Sequence, residues 1–270
     1  MCGIFGFMLT EPQQIAPALE VLELLEKHQY YNEENPVGGH GAGVFLKGTS
    51  GRETFLKVGK ISESPARTLA NEVLAVQSQA SLFIGHVRRA SPEFLDTVAF
   101  KESTQPYIAC CSENSRVVTV HNGFVGNYLE IRNNLRVKHF FESEKKSELI
   151  DSEIIPHFFE ELLLGGADLN GALSTLLGRL ENQNNAICML VLDSRRVGDH
   201  IAFLHTENSR GLTIWINRKG EVMFSSRKEP VEYAFGKFLK KHCFEERVSI
   251  GWNEPTNIKP LIFPLLNGNK

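Results

Sequence analysis

The sequence predicts an α+β fold built on mainly antiparallel sheets. Strand-like and helix-like segments occur in blocks along the 270 residues and lack the regular alternation of a parallel βαβ sheet. Two late strand-like segments flank a short polar stretch, residues 217–220, which predicts an antiparallel hairpin. With 42% apolar residues, the chain can bury a substantial core around such sheets.

The first half of the chain predicts helices and strands in turn. Residues 2–8 are rich in β-branched and aromatic side chains and predict a strand that begins almost at the terminus. Apolar residues at helical spacing predict a first helix around residues 15–25, and Ser64 before Pro65 predicts the start of a second. The glycine-rich residues 37–43 are predicted as a loop. Further strands are predicted at residues 44–46, 82–87 and 117–120.

The second half predicts a block of helices followed by a block of strands. The helices are expected around residues 128–135, 154–163, 168–180 (with Asp168 as N-cap) and 231–241. The strands are expected at residues 186–192, 201–205, 212–216 and 222–225. We predict a single domain over residues 1–270, in which residues 243–270 form an irregular C-terminal extension.

Composition argues against several classes of protein. The net charge of −3 comes without a basic patch, which argues against nucleic-acid binding. No apolar run approaches the roughly 20 residues that span a bilayer, and the apolar N-terminus lacks the basic region of a signal peptide. Five cysteines without C-x-x-C spacing argue against a zinc site and against a disulfide framework, Cys110-Cys111 included. We therefore expect a cytoplasmic protein without a metal or cofactor.

Cys2 is the first candidate for chemistry. Removal of Met1 would give Cys2 both a thiol and a free α-amine, whose pKa of about 7.7–8.0 allows it to accept the thiol proton. Nucleophile and base would then belong to the same residue. A buried structural thiol in an apolar strand is the alternative.

Arg88 stands at the end of a predicted strand. Its planar guanidinium suits bidentate binding of a carboxylate, although a surface arginine at a strand end is the alternative. His86, two residues earlier, is a rival base for Cys2 in a cysteine–histidine pair, or a structural histidine.

Two further polar segments allow both a functional and a structural interpretation. In His121-Asn122-Gly123, the Asn122 amide and the Gly123 N–H can form an oxyanion hole, whereas a type I′ turn explains Asn-Gly equally well. Asp151, before an amphipathic helix, can bind an ammonium group or cap the helix. The glycine-rich segment lacks the Lys-Ser/Thr ending of a phosphate-binding loop.

Taken together and in order, these segments resemble the glutaminase domain of class II glutamine amidotransferases over roughly residues 1–240. The matching segments are Cys2-Gly3-Ile4-Phe5-Gly6, Gly41-Ala42-Gly43-Val44, Gly85-His86-Val87-Arg88-Arg89-Ala90-Ser91, Gln105-Pro106-Tyr107, Val120-His121-Asn122-Gly123, Asn127-Tyr128-Leu129-Glu130 and Asp151-Ser152-Glu153-Ile154. Each segment is modest alone, but their common order makes the resemblance specific. The family has an aromatic residue where this chain has Arg89, and an arginine near the position of Val37.

The resemblance implies a four-layer αββα N-terminal-nucleophile hydrolase sandwich with two mainly antiparallel sheets. It implies that Cys2 attacks the glutamine amide, that Asn122 and Gly123 hold the oxyanion, and that the substrate is held by Arg88, Ser91 and Asp151. Family members usually carry a synthase domain, and we find none in these 270 residues. A glutaminase subunit that feeds a separate synthase is therefore expected. A stand-alone hydrolase of glutamine or another γ-glutamyl amide, and a non-catalytic binding protein, are the alternatives.

Overall fold

The computed structural model describes residues 2–28, 37–48, 51–111, 115–181, 184–193, 197–206, 210–251 and 258–266. In chain order, the strands and helices are β1 (Gly3–Gln14), α1 (Ala16–Lys27), β2 (Gly41–Lys47), β3 (Glu53–Gly59), α2 (Pro65–Val76), β4 (Gln79–Arg88), β5 (Tyr107–Ala109), β6 (Arg116–Asn122), α3 (Tyr128–Asn133), α4 (Ile154–Leu164), α5 (Leu169–Arg179), β7 (Ala186–Leu192), β8 (His200–His205), β9 (Leu212–Ile216), β10 (Val222–Ser225), α6 (Lys228–Lys241), β11 (Glu245–Ile250) and β12 (Ile258–Pro264). They fall into two compact units. The first comprises Met1–Pro106, Gly211–Gly251 and Leu266–Lys270, and the second Tyr107–Arg210 and Trp252–Leu265.

The first unit is built on a seven-stranded antiparallel sheet in the order β11-β9-β10-β1-β4-β2-β3. Strand β1 lies at its centre, and Phe5 and Phe7 on this strand are fully buried. Their rings contact Phe83 of β4 and Phe235 of α6 at centroid distances of 5.7–6.3 Å. Helix α1 packs against β1, α2 and α6. The N-terminal strand is therefore anchored in the core of this unit.

The second unit is built on a five-stranded antiparallel sheet in the order β12-β8-β7-β6-β5. Helix α4 packs against β5, β6, α3 and α5. The apolar face of α4, with Ile155, Phe159 and Leu163, is buried together with Leu173 and Leu176 of α5. Each unit thus pairs an antiparallel sheet with helices, and the predicted α+β class is confirmed.

Three local predictions were wrong. Residues 41–43 belong to strand β2, where glycine is required because a Cβ on Gly43 would clash with the Gln105 carbonyl oxygen. Strand β3 had no predicted counterpart. Within the supposedly irregular residues 243–270, β11 pairs with β9 and β12 pairs with β8. Of these four strands, β3, β11 and β12 lie at sheet edges, where pairing with the neighbouring strand stabilises a conformation that the sequence pattern does not indicate.

Within the described part of the chain, no helix is both long enough and apolar enough to cross a membrane.

Candidate active site

Cys2 lies immediately before β1, at the end of the central strand of the first unit. Its sulfur accepts a hydrogen bond from the Arg89 backbone N–H at 3.4 Å and lies 3.6 Å from the Arg89 carbonyl oxygen. The next residue, Gly3, pairs with Val87 of β4. Cys2 is half-buried, so its thiol is fixed by backbone contacts and still reaches the surface.

Arg88 is the last residue of β4 and pairs with Gly41 of β2. Its side chain is almost fully buried, at 4% exposure. The guanidinium donates to the Thr97 carbonyl at 3.3 Å and to the Thr97 hydroxyl at 2.7 Å, and this hydroxyl donates to the Phe94 carbonyl at 2.8 Å. Two of the five guanidinium donors are used in orienting it. A buried and oriented guanidinium does not fit the alternative of a surface arginine.

Ser91 lies three residues after Arg88, before a 3₁₀ turn formed by Pro92–Thr97. Its carbonyl accepts the Phe94 N–H at 3.0 Å, and the residue is half-buried. The same turn therefore positions both Ser91 and the Thr97 that orients Arg88.

His40 and Arg89 were not recognised from the sequence as part of this region. His40 Nδ1 accepts the Ala90 N–H at 3.1 Å, and the His40 N–H donates to the Arg88 carbonyl at 2.9 Å. Burial, with Arg89 next in importance, lowers the pKa of His40 to about 4, so the ring is neutral near pH 7. The Arg89 guanidinium donates to the Gly38 carbonyl at 3.3 Å. Together they hold residues 38–40 against the end of β4.

His86, the rival base, is fully buried within β4, between Ile4 of β1 and Gly43 of β2. Such a position, inside a sheet and away from water, is typical of a structural histidine.

Asn122 ends strand β6 in the second unit and is fully buried opposite Ala186. Gly123 follows it and is not among the glycines with positive φ, and the chain continues toward α3, so the alternative of a type I′ turn is excluded. A Cβ on Gly123 would lie 2.5 Å from both the Asn184 carbonyl oxygen and Asn185 Oδ1. Only glycine fits at this position.

Asp151 begins a 3₁₀ turn, Asp151–Glu153, that leads into α4. Its carboxylate Oδ2 accepts the Val125 N–H at 2.8 Å, and the side chain is 5% exposed. The residue that precedes α4 is Glu153, which makes no side-chain cap. Asp151 therefore does not cap α4, and its carboxylate instead fixes the segment that follows Gly123.

His121 precedes Asn122 and links two neighbouring polar side chains, Ser152 and Asn185. Its Nε2 contacts Asn185 Oδ1 at 2.8 Å and its Nδ1 contacts the Ser152 hydroxyl at 2.9 Å. Asn185 Nδ2 donates to the Thr206 hydroxyl at 3.3 Å, so Oδ1 is the acceptor and Nε2 carries the ring proton. Burial lowers the pKa of His121 to about 4. The His121 ring is therefore neutral near pH 7. It is a positioning residue that connects Ser152, which follows Asp151, to Asn185.

The six predicted site residues thus form two groups. Cys2, Arg88 and Ser91 belong to the first unit, whereas Asn122, Gly123 and Asp151 belong to the second.

Comparison with known proteins gives relatives by sequence and by fold, whereas no family model matches the chain. The glutamine–fructose-6-phosphate aminotransferase of Methanothermobacter thermautotrophicus is 30% identical over 199 residues, which cover 73% of this chain and 29% of that protein. The enzyme of the same name from Aeropyrum pernix is 32% identical over 194 residues, 71% of this chain and 27% of that protein. The chain therefore spans less than a third of these relatives.

Among solved structures, glutamine phosphoribosylpyrophosphate amidotransferase from B. subtilis superposes with a TM-score of 0.59 at 17% identity, over 93% of this chain and 45% of that one. A structure described as the allosteric regulatory enzyme of purine biosynthesis gives a TM-score of 0.60, with the same identity and coverage. At such identities the similarity concerns the fold, and it confirms the fold type predicted from the sequence.

Proposed function

We propose, on the premise that this chain belongs to the class II glutamine amidotransferase family, that it hydrolyses the side-chain amide of glutamine with Cys2 as nucleophile. The observation that carries the proposal is the setting of the Cys2 sulfur. It is held by the Arg89 backbone at the end of a central strand, where the neighbouring strand ends at the buried guanidinium of Arg88. Such a site offers a nucleophile together with a cation for a carboxylate.

In the first step, the α-amine of Cys2 acts as the base. Once Met1 is removed, the neutral amine accepts the thiol proton, and the sulfur bonds to the side-chain carbonyl carbon. The carbonyl electron pair moves onto the oxygen. When this pair returns, the C–N bond breaks, ammonia leaves with the proton from the amine, and a γ-glutamyl thioester remains. Water then attacks the thioester, releasing glutamate and the thiol.

We assign the oxyanion of the tetrahedral intermediate to the Asn122 side-chain amide and the Gly123 N–H. The lack of space for a Cβ at Gly123 supports this assignment, because the peptide N–H is held rigidly by close neighbours. Donors fixed before the reaction need no reorganisation as charge develops on the oxygen.

The charges of the glutamine α-carbon call for an anion site and a cation site. We assign the α-carboxylate to Arg88, with Ser91 assisting, and the α-ammonium to Asp151. Arg88 and Asp151 are both nearly fully buried, and each is oriented by a hydrogen bond of 2.7–2.8 Å. Charged groups away from water bind a ligand of opposite charge more strongly than exposed ones do.

We further propose that the chain is a glutaminase subunit that supplies ammonia to a separate synthase in a reducing cytoplasm. The sequence relatives are named aminotransferases, and this chain aligns with less than a third of each. The acceptor chemistry of such enzymes would then reside outside the aligned region. The five cysteines, all of which lie within the described residues, form no disulfide, which suits a reducing compartment.

The test is glutamate release from glutamine by the purified chain, after mass spectrometry has established that Met1 is absent. Cys2→Ala is expected to lower the rate by about 10³-fold or more, because the covalent step is lost. Cys110→Ser, which changes an exposed cysteine, should retain the wild-type rate. An active Cys2→Ala variant contradicts the mechanism, and an inactive wild-type chain, alone and with candidate synthases, contradicts the function. Full activity alone favours a stand-alone hydrolase, whereas stimulation by a synthase supports the subunit role.

A further inference from the structure

A second cluster of reactive side chains lies in the second unit, apart from the residues assigned above. Cys111 follows β5, His139 lies in the connection between α3 and α4, and His157 and Glu160 are one turn apart on α4. Each offers one potential ligand atom, and the four atoms lie within 4.8 Å of one another. His157 and Glu160 are buried, while Cys111 and His139 are half-buried.

The spacing of these atoms is close to that of a tetrahedral metal site. Bond lengths of about 2.0–2.1 Å to nitrogen and oxygen and about 2.3 Å to sulfur place neighbouring ligand atoms about 3.3–3.6 Å apart. His139 Nδ1 lies 3.2 Å from His157 Nδ1, and Cys111 Sγ lies 3.7 Å from His157 Nδ1. Glu160 Oε2 lies 3.7 Å from His139 Nδ1. Adjustments of about 1 Å or less would complete the tetrahedron.

We propose that Cys111, His139, His157 and Glu160 bind a zinc ion. Sulfur and imidazole ligands are those that zinc prefers among the common divalent metals. A Cys111 thiolate and the Glu160 carboxylate carry two negative charges, which a divalent cation neutralises. Four protein ligands leave no open position, so the site is structural.

The surroundings of His139 support this assignment. Its Nε2 lies 3.4 Å from Glu161 Oε2, and the same oxygen accepts the backbone N–H groups of Arg136 and Val137 at 2.7 and 3.1 Å. A carboxylate on the outer nitrogen directs the other nitrogen toward a metal, as is usual for zinc-bound histidines. Glu161 is therefore a positioning residue for the metal site.

The ligands come from three segments of the second unit that are separated along the chain. A bound zinc ion would connect the end of β5, the connection after α3 and helix α4. Sequence spacing gave no indication of this site, because Cys111 has no second ligand within reach along the chain. The prediction that Cys110-Cys111 lacks metal partners considered only spacing along the chain, whereas folding brings His139, His157 and Glu160 close to Cys111.

The test is the zinc content of the full chain after equilibration with zinc and removal of excess metal, with affinity measured against a chromophoric chelator. Wild-type protein and Cys110→Ser are expected to bind one zinc ion per chain. Cys111→Ser and His157→Ala should bind at least about 10-fold more weakly, and Glu161→Gln about 10- to 100-fold more weakly. Cobalt bound to wild type and to Cys110→Ser should show a thiolate charge-transfer band.

The cobalt spectrum of Cys110→Ser keeps the proposal testable even if Cys111→Ser does not fold, because Cys111 is then the cysteine of the adjacent pair that is left to give the band. Less than stoichiometric zinc in the wild type, equal binding by all variants, or a Cys110→Ser protein without the band would each overturn the proposal. These measurements do not depend on glutaminase activity, so the two proposals can fail separately.

Discussion

Acidification is expected to destabilise the protein through His121. Burial lowers the pKa of this ring to about 4, from an ordinary value of 6.5. The unfolded chain therefore binds more protons than the folded one between about pH 6.5 and pH 4, and stability falls as the pH falls through this window. Linkage gives a loss of about 2 kcal/mol on going from about pH 7.5 to about pH 5. Protonation of Nδ1 would reverse its hydrogen bond with the Ser152 hydroxyl, whereas Nε2 would still donate to Asn185 Oδ1.

The assay is urea unfolding of the wild type and of His121→Gln at both pH values. Glutamine cannot take up the proton, so the variant should lose about 2 kcal/mol less stability on acidification than the wild type. Contributions of other buried histidines, such as His40, cancel in this comparison. NMR titration of the His121 ring in the wild type gives the pKa directly and does not depend on the variant folding. A midpoint near 6.5, or equal losses in both proteins, would refute the reasoning.

Three further predictions concern catalysis. Arg88→Lys should lower kcat/KM for glutamine by about 10- to 100-fold, because an ammonium cannot bind a carboxylate and Thr97 in the same geometry. Near-normal kinetics would contradict the assignment of Arg88 to the substrate site. Gly123→Ala should lower kcat by about 10²- to 10³-fold, since the added carbon would displace the N–H from its position against Asn184. A thermal melt would show whether the variant is folded, and a kcat within a few-fold of wild type would exclude the oxyanion role. Chains that retain the initiator methionine before Cys2 should be inactive, and activity should follow the fraction of chains without it, as measured by mass spectrometry. Turnover by a sample in which every chain retains the methionine would require a base other than the Cys2 α-amine.

Local chemistry explains which elements were predictable from the sequence. Ser64 accepts the Arg67 N–H at 3.3 Å at the start of α2, and Asp168 accepts the Gly171 N–H at 2.7 Å at the start of α5. Both caps follow from hydroxyl or carboxylate side chains before an apolar pattern. Strand β11, in contrast, is largely exposed and charged, and its strand conformation comes from pairing with β9. A pattern based on alternating burial cannot detect such an edge strand.

The candidate site likewise has residues that local sequence indicates and contacts that only the folded chain creates. Cys2, Arg88 and Asp151 could be proposed as candidates because each stands at the start or end of a predicted element within the order of segments that resembles the family. The orientation of Arg88 by Thr97, nine residues away, and the link from His121 to Asn185, 64 residues away, depend on tertiary contacts. Residue type and local spacing do not encode such contacts, so the neutral histidines could be assigned only from the structure.

The position of β1 has a consequence for the dynamics of the proposed nucleophile. Chain termini ordinarily fray, and their amide hydrogens exchange with solvent within short times. Here the residue after Cys2 enters the middle of a seven-stranded sheet, and the Ile4 N–H is bonded to the Ser226 hydroxyl at 3.1 Å while the Ile4 carbonyl accepts the Ser226 N–H at 2.9 Å. The backbone amides of residues 4–8 should therefore exchange only when the whole first unit opens. The Cys2 thiol, next to this strand, should be as rigidly held as the core of its unit and not as mobile as an ordinary chain terminus.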